Sequence, residues 1–258
     1  MADKGLFSLQ GQAAIVTGAS SGLGEMMAHG LAAAGCAVLL AARRRERLAA
    51  VAGAIEAAGG RAVARPADLR DPGHAEALVA AAAEAFGRLD GVVLNAATST
   101  ISPAEDQDPA DFDDVLRVNV GAQAALAGAA ARAMITARSG GWMILMSSIL
   151  GRKAGTGPGV AAYAASKIAV EGLTRELARQ WAPHGIRVNA LAPGYFPTEM
   201  NAPMTADPGR REALVGRIPL GRAGEAADIA GVAVFLASRA AGYVTGQVLP
   251  LDGGMSCW

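Results

Sequence analysis

Aromatic side chains make up only 4% of the 258 residues, and cysteine is rarer still, with Cys36 and Cys257 the only two. Two cysteines near opposite ends cannot build a disulfide scaffold or a cysteine-rich zinc site, which leads us to expect a reducing compartment and no metal. Neither sign of charge is in excess: Lys+Arg and Asp+Glu both total 23. That balance lacks the basic surplus of a nucleic-acid or anionic-membrane binder. No run approaches the roughly 20 apolar residues of a membrane span, and the opening MADKGLFSLQG has no stretch long enough for a signal-peptide core. The expectation is a soluble, cytoplasmic protein with no membrane or nucleic-acid partner. No linker, repeat or low-complexity tail divides residues 1–258, so a single domain is expected.

What is present is a rhythm of short Val/Ile/Leu runs alternating with longer alanine-rich stretches at helical spacing, within a chain that is 52% hydrophobic. Such alternation argues for repeated βα units and a parallel sheet. Seven strands are expected, centred on Ala14 to Thr17, Ala37 to Ala41, Ala62 to Ala64, Gly91 to Leu94, Trp142 to Met146, Arg187 to Leu191 and Gln247 to Leu251. Helices are expected near Gly22 to Ala34, Arg45 to Ala58, Asp71 to Phe86, Phe112 to Arg138, Val160 to Trp181 and Asp228 to Ser238. Asp71 and Pro72 read as N-cap and first residue of the third helix, while Gly35 and Gly59 read as helix-ending glycines. The long connection 193–224, with Pro197, Pro203, Pro208 and Pro219, reads as a substrate lid.

Thr17-Gly18-Ala19-Ser20-Ser21-Gly22-Leu23-Gly24 follows the first strand and opens the first helix. Glycines there let the backbone approach a pyrophosphate while the helix N-terminus faces the anion. The spacing is G-x-x-x-G-x-G rather than G-x-G-x-x-G. The same residues match a nucleophile elbow, Gly18-Ala19-Ser20-Ser21-Gly22, which would suggest a serine hydrolase. Against that reading, an elbow on the first strand has no upstream loop to supply the second oxyanion donor. His184, in a WAPHG turn, is also a poor base candidate.

Tyr163-Ala164-Ala165-Ser166-Lys167 places a phenol and an ammonium at i and i+4 on one helix face. A neighbouring cation favours phenolate, so Lys167 is expected to lower the Tyr163 pKa. Ser147-Ser148 ends the fifth strand upstream, bringing a hydroxyl to the carboxyl edge of the sheet, where doubly wound folds bind ligands.

In these residues the chain resembles the short-chain dehydrogenases/reductases, from about Leu6 to Gly254. TGASSGLG, Asp68 in PADLRD, Asn95-Ala96, Asn119, Ser148, YAASK, Pro193-Gly194 and the terminal LDGG fall in the family's order and spacing. The resemblance implies an α/β fold: a single-domain, Rossmann-type, doubly wound, seven-stranded parallel sheet with helices on both faces. It implies a catalytic set of Asn119, Ser148, Tyr163 and Lys167. Tyr163 is then the general acid/base on the substrate oxygen, and Lys167 lowers its pKa and holds the nicotinamide ribose. Ser148, rather than Ser147, hydrogen-bonds the substrate, and Asn119 helps hold a water-mediated proton path through Lys167. The implied cofactor contacts are Gly18, Ser20, Ser21, Gly22, Leu23, Gly24, Arg43, Asp68, Leu69, Asn95, Ala96, Tyr163, Lys167, Pro193, Gly194, Phe196 and Thr198, the last touching the nicotinamide carboxamide or the diphosphate. Two departures stand out. The family's N-N-A-G stretch reads Leu94-Asn95-Ala96-Ala97, and the segment between Ser148 and Tyr163, with Arg152, Lys153, Gly155, Gly157 and Gly159, is longer than usual.

The second strand ends Ala41-Ala42-Arg43-Arg44, without the acidic residue that binds a ribose 2′-OH. Arg43 is placed to pair with a 2′-phosphate, which favours NADP(H) over NAD(H). Thr98, Ser99, Arg152, Lys153, Tyr195, Phe196, Met200 and Met204 approach the catalytic edge and suit a small or medium polar carbonyl or alcohol. Within the family the chain is most similar to gluconate 5-dehydrogenase-like and deoxygluconate dehydrogenase-like members, implying a sugar-acid-like substrate and a homotetramer. The alternatives are a 3-oxoacyl carrier-protein reductase and, from another class, a non-catalytic NADPH-binding sensor. A sensor has no need of Ser148, Tyr163 and Lys167 together.

Overall fold

The computed structural model describes residues 5–154, 159–202 and 206–257. Met204, Gly155 and Gly157, expected near the substrate mouth, lie outside the described residues. Seven strands form one parallel sheet in the order β3-β2-β1-β4-β5-β6-β7. They are β1 (Ala13–Thr17), β2 (Ala37–Ala42), β3 (Ala62–Pro66), β4 (Gly91–Leu94), β5 (Gly141–Met146), β6 (Ile186–Pro193) and β7 (Val248–Leu251).

Alternate side chains of each strand enter opposite cores, as the two-residue period of a strand requires. On one face Val16, Val38, Leu40, Ile144 and Met146 pack with helices α1 (Gly22–Ala33) and α2 (Arg45–Ala57) and with the last helix, Ala226–Ala237. On the other, Ile15, Leu39, Val92, Leu94, Met143 and Leu145 pack with α3 (His74–Phe86), α5 (Gln123–Ala137) and α6 (Ala161–Trp181). Alanine lets the helices lie close to the sheet and to each other. On α5, Ala127, Ala129, Ala130 and Ala131 are all buried.

The expected strands are all found, most extended by one or two residues. The third helix begins at His74 instead of Asp71. Its N-cap is Gly73 at φ 79°, and Asp71 accepts a turn hydrogen bond from His74 before the helix starts. The expected single helix 112–138 is three pieces: α4 (Pro109–Leu116), a π-helical turn at Arg117–Ala122, and α5. Asp108 caps α4, accepting from the Ala110 N–H, and Pro109 opens it. A short helix, α7 (Pro208–Val215), interrupts the connection after β6, with Asp207 as its cap. The last helix, α8, starts two residues before the expected Asp228, because Glu225 and Asp228 form a reciprocal capping box there.

Candidate active site

Parallel strands bring their carboxyl ends to one edge, so the loops after β1, β4, β5 and β6 meet there. The β1 loop is held from behind by Asn95. Its Nδ2 donates to Thr17 O at 2.9 Å, and its N–H donates to Thr17 Oγ1 at 2.9 Å, while the Ala96 N–H reaches the same hydroxyl at 3.1 Å. Asn95 is thus a tie between β1 and β4. Gly18, at φ 65°, has no room for a side chain, since a Cβ would stand 2.7 Å from Asn95 Nδ2; at Gly24 a Cβ would run into Gly18 O. Helix α1 opens at Gly22 behind the N-cap Ser21 with no side-chain cap on its first turn. A close backbone cradle leading to an uncapped helix N-terminus fits a dinucleotide pyrophosphate, which would take those N–H groups as partners.

On the far side of the cradle stands Thr198. Its Cγ2 would lie 3.2 Å from a Cβ on Gly22. Pro193 ends β6, and Gly194 is packed so tightly against Asp252 that a Cβ would come within 2.6 Å of its Cβ. Phe196 is 3% exposed and joins the α1 and α8 core under Gly224, so its ring is committed to packing. Asp68, beyond β3, accepts from the Arg70 N–H at 3.0 Å, and Leu69 packs against the α3 and α5 core. The Arg70 guanidinium forks onto Asp114, holding that carboxyl down to about 2 and joining the loop to α4.

Arg43 is exposed and makes no ion pair among the described residues. Its neighbour Arg44, the N-cap of α2, turns over the cradle. Arg44 donates to Ser21 Oγ at 2.6 Å and to Ser20 Oγ at 3.2 Å and 3.3 Å. Sequence pattern identified a basic turn; which arginine faces the loop depends on the turn from β2 into α2.

Strand β5 delivers two serines with different fates. Ser147 is 3% exposed and turns inward, 3.1 Å from both Lys167 O and Glu171 Oε1. Ser148 lies at the edge, where its hydroxyl accepts from the Leu150 N–H at 3.2 Å and draws the Tyr163 pKa down. Tyr163 is half-buried, and Lys167 Nζ sits 5.1 Å from its ring centroid. Lys167 is 2% exposed and donates to Met146 O at 2.8 Å. Burial pushes this ammonium down to about 8.

The expected lowering of the Tyr163 pKa is absent in this geometry. Burial pushes the phenol up to about 12, and only hydrogen bonding from Ser148 opposes it. Desolvation disfavours phenolate more than the local partners favour it.

Asn119 lies in the π-helical turn and is fully buried. Its Oδ1 accepts from the Thr98 N–H at 2.8 Å, and its Nδ2 donates to Thr98 O at 2.9 Å and to Ser166 Oγ at 3.0 Å. The side chain therefore joins the β4 loop to α6. Its amide is spent on that tie, while the Lys167 ammonium bonds Met146 O. The sequence reading missed Glu171, one further turn along the Tyr163 and Lys167 face. It is 3% exposed and takes a forked bond from Arg152 at 2.7 Å and 3.1 Å. The i, i+4, i+8 spacing was its visible signal. Lys153 is also engaged, donating to Met255 O at 2.7 Å.

A glycine-lined backbone cradle at an uncapped helix start, a buried lysine against a tyrosine ring and an edge serine on a seven-stranded parallel sheet define a nicotinamide-dependent oxidoreductase fold. The chain belongs to the short-chain dehydrogenase/reductase family: the family model described as Enoyl-(Acyl carrier protein) reductase matches residues 18–256. It is 40% identical over 256 residues to gluconate 5-dehydrogenase of Gluconobacter oxydans (strain 621H), covering 99% of each chain. It is also 40% identical over 251 residues to 2-dehydro-3-deoxy-D-gluconate 5-dehydrogenase of Dickeya dadantii (strain 3937), covering 96% of each. Among solved structures, a proposed NAD(P)-dependent gluconate 5-dehydrogenase of Beutenbergia cavernae with bound NADP, at low occupancy, superposes with a TM-score of 0.91. That match has 44% identity and covers 98% of this chain and 100% of the other. The chain is accordingly an NAD(P)-dependent oxidoreductase acting on hydroxyl groups.

Proposed function

We propose that the protein interconverts a ketone and a secondary alcohol on a small sugar-acid-like substrate, with NADP(H) preferred over NAD(H). The observation that carries this reading is the convergence of Ser148, Tyr163 and Lys167 at the carboxyl edge beside the uncapped α1 N-terminus. Ser148 holds the substrate oxygen. Tyr163 gives its proton to that oxygen in reduction and takes it back in oxidation; a phenol held at about 12 is in the donating form. Lys167, bearing its charge below about pH 8, holds the nicotinamide ribose and steadies the phenolate as it forms. A bound nicotinamide supplies or accepts the hydride at the substrate carbon.

Arg44, fixed on Ser20 and Ser21, is the chief partner we assign to the 2′-phosphate, with Arg43 a lesser one. Thr198, against Gly22, is assigned to the diphosphate end. Gluconate-type relatives support the sugar-acid class. The reading extends to a homotetramer in the cytoplasm. Ile168 on α6, 46% exposed, and Tyr243, fully exposed, support self-association. The 193–224 segment is assigned as a lid within the single domain, because α7 buries none of its residues.

A panel of sugar acids and polyols, followed at the nicotinamide absorbance with both cofactors, tests the function. Turnover of gluconate or a keto-deoxygluconate, faster with the NADP pair, is expected. Turnover confined to acyl thioesters would replace the sugar-acid reading.

A further inference from the structure

The carboxylate of Glu199 is held by two guanidiniums at the mouth of the cofactor cradle. Its Oε2 accepts from Arg44 Nη1 at 2.7 Å, and its Oε1 accepts from Arg47 Nη1. Arg44 is itself fixed on the Ser20 and Ser21 hydroxyls beside the glycine loop, and Arg47 meets it there on the shared carboxylate. Two guanidiniums flanked by serine hydroxyls are the chemistry that recognises a phosphate monoester. In this structure they hold an anion of the protein's own. Glu199 follows Thr198, whose methyl abuts Gly22, so the same short stretch lies against both the pyrophosphate cradle and the arginine fork.

We propose that Glu199 sets the degree of cofactor discrimination by acting as a built-in competitor for the 2′-phosphate on Arg44 and Arg47. This rests on the reading of that fork as the 2′-phosphate site. An NADP(H) molecule has to displace the carboxylate, whereas NAD(H), lacking the phosphate, leaves it in place. The native preference is thus smaller than the two arginines alone would give. The exchange is open to ligand because the side chains are half-exposed, at 45% for Arg44, 56% for Arg47 and 46% for Glu199. A phosphate monoester also carries nearly twice the charge of a carboxylate near neutral pH, so it wins when bound. Arg44 holds the Glu199 carboxyl below the usual carboxylate range, which keeps the competitor charged.

Direct titration with cofactor fragments tests this without turnover. The dissociation constants of 2′,5′-ADP and 5′-ADP are measured calorimetrically on the wild type, Glu199→Gln, Glu199→Asp and Arg44→Met. Glu199→Gln should tighten 2′,5′-ADP by roughly fivefold or more, in the range of an ordinary coupling between two ligands at linked sites, and leave 5′-ADP unchanged. Glu199→Asp, one methylene short of bridging both arginines, should fall between, and it serves as the folded control if the glutamine variant is unstable. An unchanged or weaker 2′,5′-ADP affinity in both variants, with Arg44→Met weakening it, overturns the Glu199 proposal alone. If Arg44→Met has no effect on the ratio of the two constants, the 2′-phosphate reading of the fork falls and the proposal falls with it.

Discussion

At Tyr163 the chemistry rests on one hydroxyl. Tyr163→Phe should keep cofactor affinity and lose turnover by about 10² to 10⁴-fold, the range for removing a general acid/base; a kcat above a tenth of wild type would remove Tyr163 from the proton transfer. Ser148→Ala should be comparably damaging. Ser147→Ala should act mainly on stability, because Ser147 faces Glu171 and Lys167 O inside the core. Lys167 illustrates a conflict between function and folding. Burial lowers it from its ordinary 10.5 to about 8, a shift corresponding to about 3 kcal/mol against the charged form at neutral pH. Between about pH 8 and 10.5 the unfolded chain holds this proton and the folded one does not, so this group's contribution to stability rises with pH across that window. Lys167→Met should therefore be inactive yet at least as resistant to urea as wild type at pH 7, with its advantage shrinking toward pH 10. A lower urea midpoint at pH 7 would mean that the bond to Met146 O outweighs the burial cost.

Helix α6 carries more of the site than its Tyr163 and Lys167 pair. Glu171 on the same face receives the Arg152 fork and so pins the loop after β5 to the helix. Arg152 is about one-third exposed and can return to water, whereas Glu171 cannot, so the two partners are not equivalent. Arg152→Ala should cost roughly 1–3 kcal/mol by stranding a buried carboxylate, and Glu171→Gln should cost less. Chemical denaturation of the two variants and the pair decides this; equal losses would show that burial asymmetry is irrelevant here. The segment after β6 behaves as a different kind of element. Its described part has α7 exposed and Thr198 and Glu199 docked on the cradle. Amide exchange in residues 195–202 and 206–217 should slow when cofactor and a substrate analogue are bound together. Identical exchange with and without ligands would remove the lid.

For the molecule as a whole, α6 and the stretch before β7 present apolar side chains to the outside, with Ile168 and Tyr243 uncovered. Burying such surfaces between copies related by two-fold axes is the usual route to a closed tetramer. Light scattering at micromolar concentration should report four times the 25.9 kDa chain mass, and a monomer would refute the assembly. Among the described residues no helix is long and apolar enough to cross a membrane, and no group of three or more potential ligands is placed to hold a metal ion.

The sequence by itself determined the strands, the parallel sheet and the position of the glycine loop. These follow from periodicity and from residue types with local consequences: β-branched runs, glycines at positive φ, and a phenol and ammonium one helical turn apart. A family pattern chose Ser148 over Ser147, and the structure turns Ser147 inward onto Lys167 O and Glu171. Tertiary structure decided what local pattern cannot encode. The expected long helix breaks into a π-helical turn at Asn119, which is bonded to Thr98 and Ser166 from other elements. The Tyr163 phenol rises instead of falling, because burial depends on everything packed around it. Arg44 bonds the Ser20 and Ser21 hydroxyls of the cradle, and Glu199 reaches it from more than 150 positions away. Side-chain direction at a strand-to-helix turn and pairing between distant segments are set only when the whole chain has closed around its two cores.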